Sequence, residues 1–309
     1  LLLVAAAASS LYSASAAITL AWSLKLLAIL LTGSLLFEAR DPEGSARRLV
    51  EATWLGLILL LALFLISGTI APEMASDISR VGKMWRLGGT LIASTRLSVV
   101  AGLVALLALI DLLAGRATRS TRLLLVLSTG MMVASLGRGG MLATGVSVVI
   151  VLMLFRRMKQ AVYLGGLVCL VFLVVPGAAD ASWEVLSRRQ GLGESVSLTG
   201  RVPLWETTMD LISEKPFLGL GYVSGSRIAL ASSSQGWQAT DAHNAFLQIL
   251  LTLGIVGLAL ILAILVKIHL GLRHILRDAW DPVHPNERGI VALKLLSFAV
   301  FLLVQELLE

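Results

Sequence analysis

The sequence predicts an all-α protein, a polytopic bundle of transmembrane helices interrupted by one long loop. Three observations predict it. Hydrophobic residues make up 57% of the 309 positions and charged residues 14%, against about 45–50% and about 25% in ordinary soluble domains. Mean hydropathy is +0.89. The apolar residues gather into runs near the ~20 residues a helix needs to cross a bilayer, with short basic loops between them. A water-soluble enzyme, a disordered tail and a coiled coil are excluded. Cys169 is the only cysteine and lies in an apolar run, which excludes a disulfide scaffold.

Residues 1–8 read as the stub of an earlier span. The chain starts at Leu1-Leu2-Leu3 without Met and ends at Glu309 straight after an apolar run, as expected of a piece of a longer protein. No basic stretch precedes the first apolar run, so it does not read as a signal peptide. Complete spans are expected at 14–37, 49–70, 95–113, 161–179, 245–266 and 289–308. The 34 residues of 122–155 would reach about 51 Å as one helix, too far for a single crossing. Gly137-Arg138-Gly139-Gly140 near the middle suits a turn. Two short spans, 122–137 and 141–155, are therefore expected. The total is about eight spans, in a single transmembrane domain covering 1–309.

Basic residues set the orientation. They cluster in 38–48 (Arg40, Arg47, Arg48), 114–122 (Arg116, Arg119, Arg122) and 156–160 (Arg156, Arg157, Lys159). A fourth group holds Lys267, Arg273, Arg277, Arg288 and Lys294. With alternating spans and a hairpin at 122–155, all four fall on one face, which is then cytoplasmic. The other face receives 71–94, the hairpin tip and the long loop 180–244. Inside that loop Pro203 fits a first helical turn, and Leu204, Met209, Leu211 and Ile212 continue an amphipathic run. Pro216 and Gly219-Leu220-Gly221 end it.

Several residues able to do chemistry fall on this second face. Arg86 (Trp85-Arg86-Leu87-Gly88-Gly89), Arg138 and Arg201 (Thr199-Gly200-Arg201) each sit beside glycine. Guanidinium forks bind phosphate oxygens in pairs, and glycine lets backbone approach. Arginines near span ends also snorkel, but this is the face the positive-inside rule disfavours. His243 could serve as a general base near neutral pH or as an interfacial histidine. Asp241 could orient it, and Asn244 could cap the following helix. Trp183, Trp205, Phe217, Tyr222 and Trp237 could stack on sugar rings or form an interfacial belt. Tyr222-Val223-Ser224-Gly225 carries a serine without an evident partner. Lys25 lies mid-span, where an ionisable group is expensive, and its role stays open. No acidic pair or His/Cys cluster has metal-ligand spacing, so no cofactor or metal is expected.

In order along the chain, these segments resemble a known superfamily. Ser197-Leu198-Thr199-Gly200-Arg201, Leu204-Trp205 and Glu214-Lys215-Pro216-Phe217-Leu218-Gly219-Leu220-Gly221-Tyr222 look like the outer loop of bacterial O-antigen ligases and polysaccharide polymerases. His243-Asn244-Ala245-Phe246-Leu247, then Leu253-Gly254-Ile255-Val256-Gly257-Leu258, looks like the segment closing that loop. Arg138-Gly139-Gly140-Met141-Leu142 matches an Arg-x-x-x-Leu pattern, and Arg86-Leu87-Gly88-Gly89 resembles an upstream arginine segment. The resemblance spans about 80–305. Two departures stand out: Ser135-Leu136-Gly137 precedes Arg138 where serine more often stands directly before the arginine, and Ala93-Ser94-Thr95 replaces a His-Pro-Asn.

The resemblance implies a fold of the C-type glycosyltransferase kind, with 180–244 as a periplasmic loop containing short helices, in the bacterial inner membrane. It implies an inverting, metal-independent transferase. The donor is a glycan on undecaprenyl diphosphate. The acceptor is a hydroxyl on lipid A-core sugar (ligase) or on another lipid-linked repeat (polymerase). By motif, Arg86, Arg138 and Arg201 hold the diphosphate and His243 handles the acceptor proton. Asn244, Trp205 and Tyr222 join the substrate-binding set. The partners implied are a lipid-linked oligosaccharide, a glycan or lipid A-core acceptor and membrane lipids, and no nucleic acid. The rival readings are a transporter or flippase for lipid-linked sugars, and a structural assembly partner. Transporters favour repeated halves and broken helices with midplane polar groups.

Overall fold

A computed structural model describes residues 1–36, 41–78, 85–160, 162–163, 201–233 and 241–308. The helices are α1 (Leu2–Ala8), α2 (Ala16–Leu36), α3 (Pro42–Ile70), α4 (Pro72–Ala75), α5 (Ser94–Leu113), α6 (Arg119–Ala134), α7 (Arg138–Leu154), α8 (Arg201–Glu214), α9 (Ser224–Ser233), α10 (Ala245–Ala279) and α11 (Glu287–Leu308). One small antiparallel ribbon, β1 (Ser76–Ile78) with β2 (Trp85–Leu87), is the only sheet among the described residues. The predicted all-α class holds. Helices α2, α3, α5, α10 and α11 are long and apolar enough to cross a membrane. They coincide with the expected spans 14–37, 49–70, 95–113, 245–266 and 289–308. The span expected at 161–179, apart from Val162 and Tyr163, lies outside the described residues, as do Trp183 and Trp237.

The chain divides into two compact units. One comprises Leu1–Ser45, Val196–Gly271 and Glu306–Glu309; the other comprises Ala46–Ser195 and Leu272–Gln305.

In the second unit α5 is apolar on every side and correspondingly buried, with Leu97, Ala101, Val104, Leu106, Ala108 and Ile110 inside. Helix α6 packs antiparallel to it through Met131 and Met132. Helix α7 packs parallel to it: Ser98 Oγ donates to Gly137 O at 2.9 Å, and a Cβ on Gly102 would overlap Thr144 Oγ1. The break between α6 and α7 confirms two helices in 122–155, at a different place from the expected glycine turn. The reversal runs through Leu136, with φ +52°, while Gly139 and Gly140 belong to the first turn of α7. A Cβ on Gly140 would collide with Ser98. That glycine serves close packing against α5, not the turn.

Because α6 returns and α7 runs out again, the basic ends of this hairpin share one end of the unit. The loop around Glu287 meets them there. Arg47 and Arg116 both pair with Glu287, at 3.1 and 3.4 Å. Trp280 packs edge-on against Phe155 at 4.8 Å and donates Nε1–H to Leu154 O. Just inside this end, Lys294 and Asp111 form a mostly buried pair at 2.7 Å. Within this unit the described basic segments around Arg47, Arg116 and Arg156 thus meet the Glu287 loop at one end.

In the first unit a core of Leu204, Ile212, Leu230 and Leu251 joins α8, α9 and α10. The expected helix after Thr199-Gly200 is α8, with Pro203 in its first turn. Leu204 and Ile212 are buried as the pattern requires, whereas Met209 is exposed.

Helix α10 is broken at Gly254, whose φ of 63° and ψ of −162° are not helical. The segment 216–221 fills the break. Leu220 and Gly221 N–H donate to Leu251 and Thr252 O at 2.8 and 2.9 Å. Ile255 and Val256 N–H donate to Pro216 and Phe217 O at 2.9 and 3.3 Å. An apolar environment tolerates interrupted helical backbone only where other groups satisfy it, and this loop does so.

Candidate functional site

The first unit places Arg201, Trp205, His243 and Asn244 at one corner. Asn244 stands just before α10, and its Oδ1 accepts from Phe246 and Leu247 N–H at 3.0 and 3.1 Å. This is the N-cap geometry its residue type favours. It commits Oδ1 to the backbone and leaves the amide nitrogen for other partners.

His243, immediately before the cap, has φ +48°. A non-glycine residue in this left-handed region costs about 1–3 kcal/mol and persists only when its surroundings over-determine it. They do here. Asp241 Oδ1 accepts from His243 N–H at 3.1 Å and lies 3.1 Å from Nδ1. Ala242, fully buried between them, is held from both sides. Its O accepts from Trp205 Nε1–H at 3.0 Å, and its N–H donates to Gln248 Oε1 at 2.9 Å. Gln248 Nε2 then donates to Ser226 Oγ at 3.0 Å. Three helices, α8, α9 and α10, therefore fix the backbone that carries His243. The imidazole itself is 44% exposed, and with Nδ1 facing the carboxylate, Nε2 is the nitrogen left to meet a ligand. Asp241 thus takes the orienting position the sequence leaves open.

Arg201 opens α8 one turn before Trp205; its side chain lies outside the described residues. Trp205 has its indole N–H committed to Ala242, so it acts as a strut, with part of its ring exposed. Tyr222 sits elsewhere. The neighbouring Gly221 bonds to Thr252 O, about 12 Å along α10 from Asn244 at 1.5 Å per residue. Burial pushes the Tyr222 phenol above its usual value of 10.0, so it stays a neutral donor.

Ser224, left without a partner by the sequence, has several. Its Oγ lies 2.7 Å from Thr19 Oγ1 and 3.1 Å from Ser15 O. Thr19 also donates to Tyr222 O, and Tyr222 N–H donates to Ser9 Oγ. This hydroxyl cluster holds a tight turn in which Ser224 N–H bonds to Tyr222 O across Val223, at φ +62°. A β-branched residue there is strained.

In the second unit, Arg138 is the first residue of α7 and Gly137 its N-cap without a side-chain bond. Unsatisfied N–H groups and the helix dipole make such an end favourable to anions. Arg86 lies on β2 opposite Asp77. Next to it, Leu87 packs against the apolar cluster that includes Leu97 and Met131. The structure therefore brings Arg86 and Arg138 to the same end of this unit, opposite the end where Arg47 and Arg116 pair with Glu287.

Sequence reasoning missed Gln248, Ser226 and Thr19. Their signal was present as polar side chains in otherwise apolar helical runs. Among the described residues no group of three or more His, Cys, Asp or Glu side chains is placed to hold a metal ion.

Residues 123–262 match the family model described as O-Antigen ligase. No curated protein matches the chain. The matched segment begins in α6 and ends in α10. It includes the α7 start at Arg138, the clamp at Gly254 and the corner at His243, and it leaves Arg86 outside. With five helices of membrane-spanning length, the chain is a multi-pass membrane protein whose residues 123–262 are similar to the O-antigen ligase family.

Proposed function

We propose that the protein transfers a glycan from undecaprenyl diphosphate to a sugar hydroxyl at the periplasmic face of the bacterial inner membrane, as an O-antigen ligase or surface-polysaccharide polymerase. The observation that supports this most is the Asp241–His243 pair on a strained, over-determined loop. Strain of this kind collects at functional sites. Asp241 holds Nδ1–H, so Nε2 accepts the acceptor's hydroxyl proton. The freed oxygen attacks the anomeric carbon from the side opposite the diphosphate. The bond from that carbon to the phosphate oxygen breaks, its electron pair leaves with the diphosphate, and configuration inverts. Arg201, Arg138 and Arg86 supply positive charge to that leaving group, which removes the need for a metal. Trp205, Tyr222 and Asn244 contribute to sugar binding. The end of the second unit carrying Arg86 and Arg138 faces the periplasm, because the opposite end holds the basic loops.

The test uses the full-length protein in detergent with an undecaprenyl-diphosphate glycan, candidate acceptors and chelator. Release of undecaprenyl diphosphate with a new glycosidic linkage, lost in His243→Ala and Arg138→Ala, is the expected result. The acceptor consumed distinguishes ligase from polymerase. Donor binding without turnover on any acceptor would refute the proposal in favour of a transporter.

A further inference from the structure

The mechanism leaves Lys25 unused, and the structure gives it a setting. It is the only charged residue of α2, a 21-residue apolar helix, and it is exposed on that helix. One turn before it lies Trp22. Lys25 Nζ is 4.0 Å from the centre of the Trp22 ring. The Arg227 guanidinium, from α9, is 5.1 Å from the same centre.

The placement follows from helix geometry. Thr19 and Ser224 are hydrogen-bonded across α2 and α9. One turn further along each helix come Trp22 and Arg227, and one turn further along α2 comes Lys25. The two cations are therefore no more than about 9 Å apart across a single ring whose face attracts both. No carboxylate among the described residues lies within ion-pair distance of either. An aromatic ring eases desolvation but leaves two net positive charges. Cations beside an apolar membrane-spanning helix are expensive unless neutralised, and the anions at hand at the membrane boundary are lipid phosphates.

We infer that Lys25 and Arg227, gathered on Trp22, form a binding site for the phosphate group of a membrane lipid. A phosphate with oxygens on both sides spans two cations at this separation, each through charge-assisted hydrogen bonds. Indole is at home at the headgroup level. Ile29, one turn beyond Lys25 on the same face and 68% exposed, continues the surface into the hydrocarbon, where the lipid's chain lies. The phosphate comes from a bulk anionic phospholipid or from a polyprenyl phosphate; the recognising chemistry is shared. The site stands apart from the proposed transfer reaction, and its test needs no turnover.

The experiment is native mass spectrometry of the full-length protein in non-ionic detergent, titrated separately with phosphatidylglycerol, polyprenyl monophosphate and phosphatidylcholine. Lys25→Gln and Arg227→Gln should each weaken binding of an anionic lipid roughly tenfold, the loss of one charge-assisted contact. The double variant and Trp22→Leu should lose the specifically bound lipid. Preference for phosphatidylglycerol identifies a bulk headgroup; preference for the polyprenyl phosphate identifies a carrier lipid. Arg273→Gln, which removes an exposed cation of α10, should leave binding unchanged. Retained binding in a folded double variant would overturn the inference, as would an equal loss in Arg273→Gln, because either makes the attraction one of general surface charge.

Discussion

Substituting Gly254 by alanine tests whether the break in α10 is built by its backbone conformation. The residue sits at φ 63° and ψ −162°, a region essentially confined to glycine, where other residues incur about 1–3 kcal/mol. A Cβ there would also overlap the carbonyl carbon and oxygen of Phe217. Those atoms belong to the loop that closes the break through four backbone hydrogen bonds, each worth about 1 kcal/mol net. Loss of the conformation and part of the clamp amounts to about 3–6 kcal/mol, a large share of the about 5–15 kcal/mol that holds a typical domain folded. Gly271, in the same helix, is the control. No atom lies within 4 Å of its prospective Cβ, so Gly271→Ala should be stabilising by up to about 1 kcal/mol through helix propensity. The assay is thermal unfolding of the purified full-length protein in detergent, with glycan transfer measured alongside. Gly254→Ala should melt well below wild type and lose transfer, and Gly271→Ala should do neither. A Gly254→Ala protein with wild-type melting would refute the clamp, since α10 would then tolerate a continuous helix there.

Gln248→Ala removes the side chain tying Ala242 to Ser226. The maximal rate should fall roughly tenfold to a hundredfold with little change in KM, and Gln248→Glu, which keeps the acceptor for Ala242 N–H, should recover part of it; an unchanged rate in Gln248→Ala would separate this amide from His243. Asn244→Ala should destabilise by about 1 kcal/mol through loss of the helix cap, read by chemical denaturation. Asp111→Ala leaves Lys294 without its partner at 2.7 Å and should cost about 2–4 kcal/mol, most of which the double variant Asp111→Leu/Lys294→Met restores. Tyr12 and Tyr222 both have phenols raised above 10.0 by burial. The unfolded chain therefore releases these protons first, and stability present below pH 10.0 declines as pH rises past it. The pH dependence of melting should flatten in Tyr12→Phe/Tyr222→Phe, and an unaltered slope would contradict this assignment.

The sequence by itself determined the class, five of the long apolar helices and the gathering of the described basic segments at one end of the second unit. Span length and the bias of Lys and Arg are local or additive properties, read without knowing what packs on what. It also marked Asp241, His243 and Asn244 as neighbours, because a cap acts within a few residues. Tertiary structure decided the rest. Pro216–Gly221 and Gly254 look like separate loop and helix signals in the chain. Only folding shows that one completes the hydrogen bonds the other leaves open. Gly140 reads as a turn residue, yet its missing Cβ is what lets α7 approach Ser98. Ser224, Thr19 and Gln248 look like incidental polar residues until helices far apart in sequence bring their partners to hydrogen-bond distance. A hydrogen-bonding group buried in an apolar core must be satisfied, but the chain order does not say by which distant residue. That choice belongs to the packing of the helices.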